Sequence, residues 1–173
     1  FLEHCASLDA AVFVHPWDVL GADRLGRFMS AWTVGMPAET HLSIVTMVLG
    51  GAFDRLPESL RIAFAHGGGS FVALLGRLDN AWRRAPAARG VCALPPSEYT
   101  SRFAVDSAVF DPGTLRLLVD TMGAERVMLG SDYPYPLGEE VVGDVIRRAG
   151  FDAATVARLL GGNAAAFAGV AAD

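Results

Sequence analysis

Ile62-Ala63-Phe64-Ala65-His66-Gly67-Gly68-Gly69-Ser70 is the stretch on which the reading of this chain turns. Ile62 to Ala65 is too short for a helix and apolar on both faces, the pattern of a parallel strand covered on each side. His66 stands at its carboxyl end. Three consecutive glycines let the backbone turn sharply and leave room for a ligand, and the helical pattern resuming at Ser70 aims its free N–H groups at the same space. A buried histidine above a tight turn can equally be a satisfied core residue, so the stretch needs support from elsewhere. Two other apolar runs supply it. Ala10-Ala11-Val12-Phe13-Val14 ends in His15-Pro16-Trp17-Asp18, and Val127-Met128-Leu129-Gly130 ends in Ser131-Asp132-Tyr133-Pro134.

Outward from that strand the chain alternates strand and helix. Phe1 to Leu8 reads as the tail of a helix before the first strand. Pro16 to Met36 is irregular and longer than an ordinary strand-to-helix link, which suggests a functional loop containing Trp17, Phe28 and Trp32. Pro37-Ala38-Glu39 opens a helix with Leu42, Val45, Leu49, Ala52 and Phe53 expected on its buried face, and Pro57 closes it. From Ser70 to Arg84 a helix carries the stripe Phe71, Leu74, Leu75, Leu78 and Trp82, with Arg77 roughly 100° or more away from its centre. Arg102 to Asp106 is a third strand ending in an acid. Asp111-Pro112 then starts a helix that Gly123 ends, Arg126 to Gly130 is the fourth strand, and short helices near 139–148, 152–160 and 163–167 follow. Four βα units imply a parallel sheet covered by helices, either a small open α/β sheet or half of a (β/α)8 TIM barrel, and the opening helix favours the half barrel.

Composition narrows the partners. The 173 residues, 52% hydrophobic with a mean hydropathy of +0.35, suffice for a single domain over 1–173 with a real core. Apolar runs break long before the roughly 20 residues that span a bilayer. A net charge of −5, with all fourteen basic residues arginines scattered along the chain, argues against a nucleic-acid groove. Cys5 and Cys92 are too few for a disulfide framework, which fits a reducing cytoplasm. The chain opens at Phe1 without an initiator Met or a signal pattern, so a piece of a longer protein is expected.

His15, His66 and Asp132 at three strand ends offer the imidazole and carboxylate donors of a zinc-like divalent ion, and one of them can serve instead as acid or base. Each also has a plainer reading, His15 as a loop cap and Asp132 as a cap of the turn before Tyr133-Pro134. Asp106 reads as a residue that orients a neighbour or caps a loop. His4 and His41 read as helix-surface residues, and Trp32 and Phe28 suit packing as well as a substrate platform.

His15-Pro16-Trp17-Asp18, Val34-Gly35-Met36-Pro37-Ala38-Glu39-Thr40, Ala65-His66-Gly67-Gly68-Gly69, Gly76-Arg77 and the run from Leu129 to Glu139 stand in an order that resembles the 2-amino-3-carboxymuconate-6-semialdehyde decarboxylase family. These are zinc-dependent members of the amidohydrolase superfamily with a (β/α)8 barrel. The resemblance runs from Ala11 to Phe167 and implies barrel strands five to eight. It implies His15 and Asp132 as zinc (or other divalent metal) ligands, His66 as catalytic acid/base and Trp32 in the substrate pocket. Arg77 would reach into the neighbouring subunit of a homodimer to hold a carboxylate of a small dicarboxylate substrate. The implied reaction is an oxygen-independent loss of carbon dioxide in tryptophan or nitroaromatic breakdown, in which a zinc-bound water or hydroxide adds to the substrate and His66 moves the proton. The family's His-x-His pair of first-strand metal ligands has no counterpart in this sequence. A related hydroxybenzoate decarboxylase or hydrolase is the neighbouring alternative. A half barrel that acts only through association with another chain is the alternative of a different class.

Overall fold

The computed structural model describes residues 1–170. Its centre is a four-stranded parallel sheet in the order β1-β2-β3-β4: β1 Val12–Val14, β2 Ile62–Phe64, β3 Ala104–Asp106 and β4 Val127–Met128. Each strand pairs with the next in the chain. That sequential order is how barrel strands follow one another, whereas the open doubly wound sheet reverses direction at a switch point. It favours the half barrel of the two architectures open at the sequence level. β2 is buried at every position, as its two-sided apolar run requires, while Phe13 in the edge strand β1 is 49% exposed. Pro16, which has no N–H to donate, follows the end of β1.

Helix α1 (Leu2–Ser7) precedes the first strand, α2 (Met36–Leu49), α3 (Ala52–Arg55), α4 (Phe71–Arg84) and α5 (Pro112–Met122) lie between the strands, and α6 (Asp144–Arg148), α7 (Ala153–Ala157) and α8 (Asn163–Ala168) close the described chain. The core between sheet and helices is built on Phe53, Phe64, Phe71 and Phe103, with Ile44, Val48, Leu115, Ile146 and Leu159 around them. Phe103 stacks on Phe53 at 5.6 Å and meets Phe64 and Phe71 edge-on. Asp111 caps α5 by accepting from Thr114 N at 2.7 Å, with Pro112 at the first position, as its sequence requires.

Four expectations are corrected. The helix expected to run to Phe53 is two helices, because Gly50 and Gly51 interrupt it and Gly51 adopts φ +63°. Its most buried residues are Thr40, Ile44 and Val48; Val45 and Leu49 pack against the core at its margin as expected, but Leu42 is 46% exposed. That segment is apolar nearly all round, so periodicity alone could not choose a face. The irregular stretch before it is already helical from Ala31, where a five-residue π turn, Ala31–Gly35, leads directly into α2. Near the carboxyl terminus Glu139 lies outside the helix it was expected to begin: its carboxylate accepts from Gly143 N at 2.6 Å and Val145 N at 2.8 Å, so α6 starts only at Asp144.

Candidate functional site

The carboxyl ends of the strands open into one cavity of about 490 Å³. His15 enters it from the end of β1, His66 from the end of β2 and Asp132 from the segment after β4, so the structure brings together all three strand-end residues. Trp17, Trp32, Phe110 and Tyr135 supply aromatic walls. The His15 and His66 rings lie 4.8 Å apart between centroids, inclined at 54°. Arg77 does not line the cavity; it is exposed on α4, the direction expected from its place off the apolar stripe.

His66 is held from two sides. Its Nδ1 lies 2.9 Å from the Thr40 hydroxyl on α2. The backbone directly after it is anchored by Asp106, whose Oδ1 accepts from Gly67 N at 2.7 Å and from Ala108 N at 3.1 Å. Ser107 ties the other flank, accepting from Gly130 N at 3.1 Å and donating to Gly130 O at 3.3 Å. The end of β3 thereby fixes the loops after both of its neighbours. His66 sits at φ +57° and Asp132 at φ +58°, a left-handed conformation that non-glycine residues adopt rarely and that costs of order 1–3 kcal/mol unless its surroundings impose it. Glycine is required beside His66 for a steric reason too. At φ +62° a Cβ on Gly69 would overlap the Pro37 carbonyl, so α2 and the His66 loop pack backbone to backbone.

Electrostatics follow from this burial. Desolvation, reinforced by the neighbouring His15, lowers the His66 pKa to about 4, so the ring is neutral at pH 7. Burial pushes the Asp106 carboxyl above the ordinary range, against the opposing pull of the backbone N–H groups it accepts, with Asp132 nearby adding a smaller push upward. Asp106 thus caps the loop after its own strand and anchors the one after β2, in keeping with both readings open to it at the sequence level. Thr40 and Ser107 were not singled out from sequence. Their partners lie 26 and 23 residues away, a separation that no local pattern reports. His41, expected on a helix surface, is instead half-buried beside Phe71, with its Nε2 buried and unpartnered and its pKa lowered by desolvation. The close packing of α2 on the Gly69 loop turns that side of the helix inward.

The amidohydrolase family pattern matches residues 1–170. The chain belongs to the amidohydrolase family. It is 47% identical, over 97% of its length, to the 2-amino-3-carboxymuconate-6-semialdehyde decarboxylase of Dictyostelium discoideum, of which it covers 47%. Among solved structures it resembles the 5-carboxyvanillate decarboxylase of Sphingomonas paucimobilis, with a TM-score of 0.82 and 31% identity over 98% of this chain and 52% of that one. A dihydroxybenzoic acid decarboxylase of Polaromonas sp., solved with bound manganese and 2-nitroresorcinol, shares the fold, with a TM-score of 0.79 and 23% identity over 95% of this chain and 51% of that one. The chain spans about half the length of the curated relatives it matches.

Divalent metal is thus found in an amidohydrolase-type neighbour, and the site can be tested for it. The His15 ring and the Asp132 carboxylate have no hydrogen-bond partner among the described residues, and imidazole nitrogen with carboxylate oxygen suits zinc or manganese. The donors fit in kind. They fall short in number, since a catalytic zinc takes three protein ligands and, among the described residues, no group of three His, Cys, Asp or Glu is placed to surround an ion.

Proposed function

We propose that this chain carries half of the active site of a metal-dependent, non-oxidative decarboxylase that acts on an aminocarboxymuconate semialdehyde. The observation that carries the reading is the convergence of His15, His66 and Asp132 on one aromatic-walled cavity at the strand ends. His15 and Asp132 would hold part of the shell of a divalent ion, zinc in the finer reading. Such an ion supplies Lewis-acid stabilisation of negative charge on substrate oxygens.

The chain's own residues account for the rest. Decarboxylation breaks one carbon–carbon bond, releases carbon dioxide and puts a proton on the carbon left behind. His66, neutral at pH 7 and held at the cavity wall, takes a proton from a water molecule at the site and delivers it to that carbon, the hydroxide left behind combining with the released carbon dioxide as bicarbonate. Trp32 lines the cavity, and with Trp17 it sets a flat apolar wall for a conjugated substrate and limits water beside the reacting carbon. Arg77, exposed on α4, is free to hold a substrate carboxylate in a second copy, which makes the working unit a homodimer. Two free cysteines are in keeping with a cytoplasmic setting.

A second reading, a hydroxybenzoate decarboxylase, is favoured by the cavity wall itself, which carries four aromatic rings and no arginine among the described lining residues. Metal content of the dialysed chain beside gel filtration tests the site. About one divalent ion per chain or per dimer, abolished by His15→Ala and by Asp132→Ala, is the expected result; a folded species that retains none overturns the proposal for this chain. Carbon dioxide release from an aminocarboxymuconate semialdehyde against a hydroxybenzoate separates the two substrates.

A further inference from the structure

Thr40 is fully buried on α2, and its hydroxyl has two partners: Met36 O, one helical turn earlier at 3.2 Å, and His66 Nδ1 at 2.9 Å. A hydroxyl owns one proton and two lone pairs. If that proton goes to the Met36 carbonyl, His66 Nδ1 must carry the ring hydrogen and donate it to Thr40 Oγ1, and two hydrogen bonds form. If the proton goes to Nδ1, the bond to Met36 is lost, and the ring hydrogen moves to Nε2, which has no protein acceptor among the described residues. Two bonds against one, inside a buried contact, select the first arrangement. Thr40 is not part of the cavity wall while His66 is, so the ring edge opposite Nδ1 is the edge the cavity meets.

We propose that Thr40 is a positioning residue that locks His66 in the Nδ1–H tautomer, so that Nε2 faces the cavity as an unprotonated nitrogen. The role in catalysis rests on the assignment of His66 as the acid/base group; the tautomer itself rests only on the hydrogen bonds. The lock also restrains the ring. With Asp106 fixing the backbone at Gly67 and Thr40 fixing Nδ1, both ends of a residue in a strained conformation are held.

Long-range ¹⁵N–¹H correlation spectra of the metal-free full chain at pH 7 read the tautomer directly, with His66→Gln identifying the His66 signals among the four histidines. In the wild-type chain the pyridine-type nitrogen resonance belongs to Nε2. Thr40→Ser, which keeps the hydroxyl, leaves it there; Thr40→Val, which keeps the shape and loses the hydroxyl, shifts it to Nδ1. A pyridine-type Nδ1 in the wild type, or a Thr40→Val spectrum unchanged from wild type, overturns the proposal. Should Thr40→Val not fold, the wild-type and Thr40→Ser spectra still decide it. A chain with this tautomer that binds no metal and releases no carbon dioxide supports the lock while sinking the decarboxylase reading.

Discussion

The two ends of the sheet differ in what they leave unspent. At the amino end, polar side chains tie the chain together. Arg102 donates to Phe53 O at 2.6 Å and Leu56 O at 2.9 Å, and Asn163 donates to Ala124 O at 2.6 Å and Val127 O at 2.7 Å. Arg61 pairs with Asp9, and its second partner is the Asp9 backbone carbonyl. At the carboxyl end, His15 and Asp132 are left without partners, and His66 and Asp132 are held in left-handed backbone conformations. Both ends tie connections to strands, Asp106 and Ser107 doing so at the carboxyl end, but the carboxyl end also gathers an unpaired imidazole and an unpaired carboxylate at one cavity, the division expected where chemistry sits on the carboxyl ends of parallel strands.

That contrast can be broken in several ways. Gly69→Ala should be the most damaging, because it adds a clash with the Pro37 backbone to a positive φ; a loss of roughly 4 kcal/mol or more in urea unfolding is expected, and a neutral result would mean that α2 does not pack on the loop as described. Asp106→Ala orphans the Gly67 and Ala108 N–H groups and should cost about 3 kcal/mol, again by urea unfolding. At the amino end, Arg102→Ala removes two donors from backbone carbonyls and should cost about 2 kcal/mol while leaving metal content unchanged. An Arg102→Ala chain that loses metal would erase the division between the two ends.

The pH dependence sharpens the same point. The unfolded His66 ring takes up a proton near pH 6.5, whereas the folded one resists down to about 4. Its contribution to stability is therefore complete above pH 6.5 and is lost as pH falls through 4. Half-exposure screens the effect, so a modest slope is expected, and His66→Gln should flatten it in denaturation midpoints measured between pH 4 and 7. Smallest of all, Arg77→Ala should leave stability within about 0.5 kcal/mol, since the side chain is exposed and unpaired among the described residues; a large loss would place Arg77 in a structural role instead.

Much of this was legible along the chain. The four strands, the residues at their ends and the capping of α5 by Asp111 all rest on patterns local to a few residues, and local patterns survive folding when tertiary contacts agree with them. The helix expected from Pro37 to Phe53 shows the limit: Ile44 and Val48 form the centre of its buried face, Val45 and Leu49 its margin, and Leu42 is exposed, because an evenly apolar helix takes its face from what it meets. His41 failed for the same reason. By itself, then, the sequence determined a parallel α/β segment with His15, His66 and Asp132 at strand ends. Only the tertiary structure decided that these three share one cavity and that Thr40 and Asp106 are the residues holding His66. Strand order brings together residues tens of positions apart, and no periodicity within one element records which of them will meet.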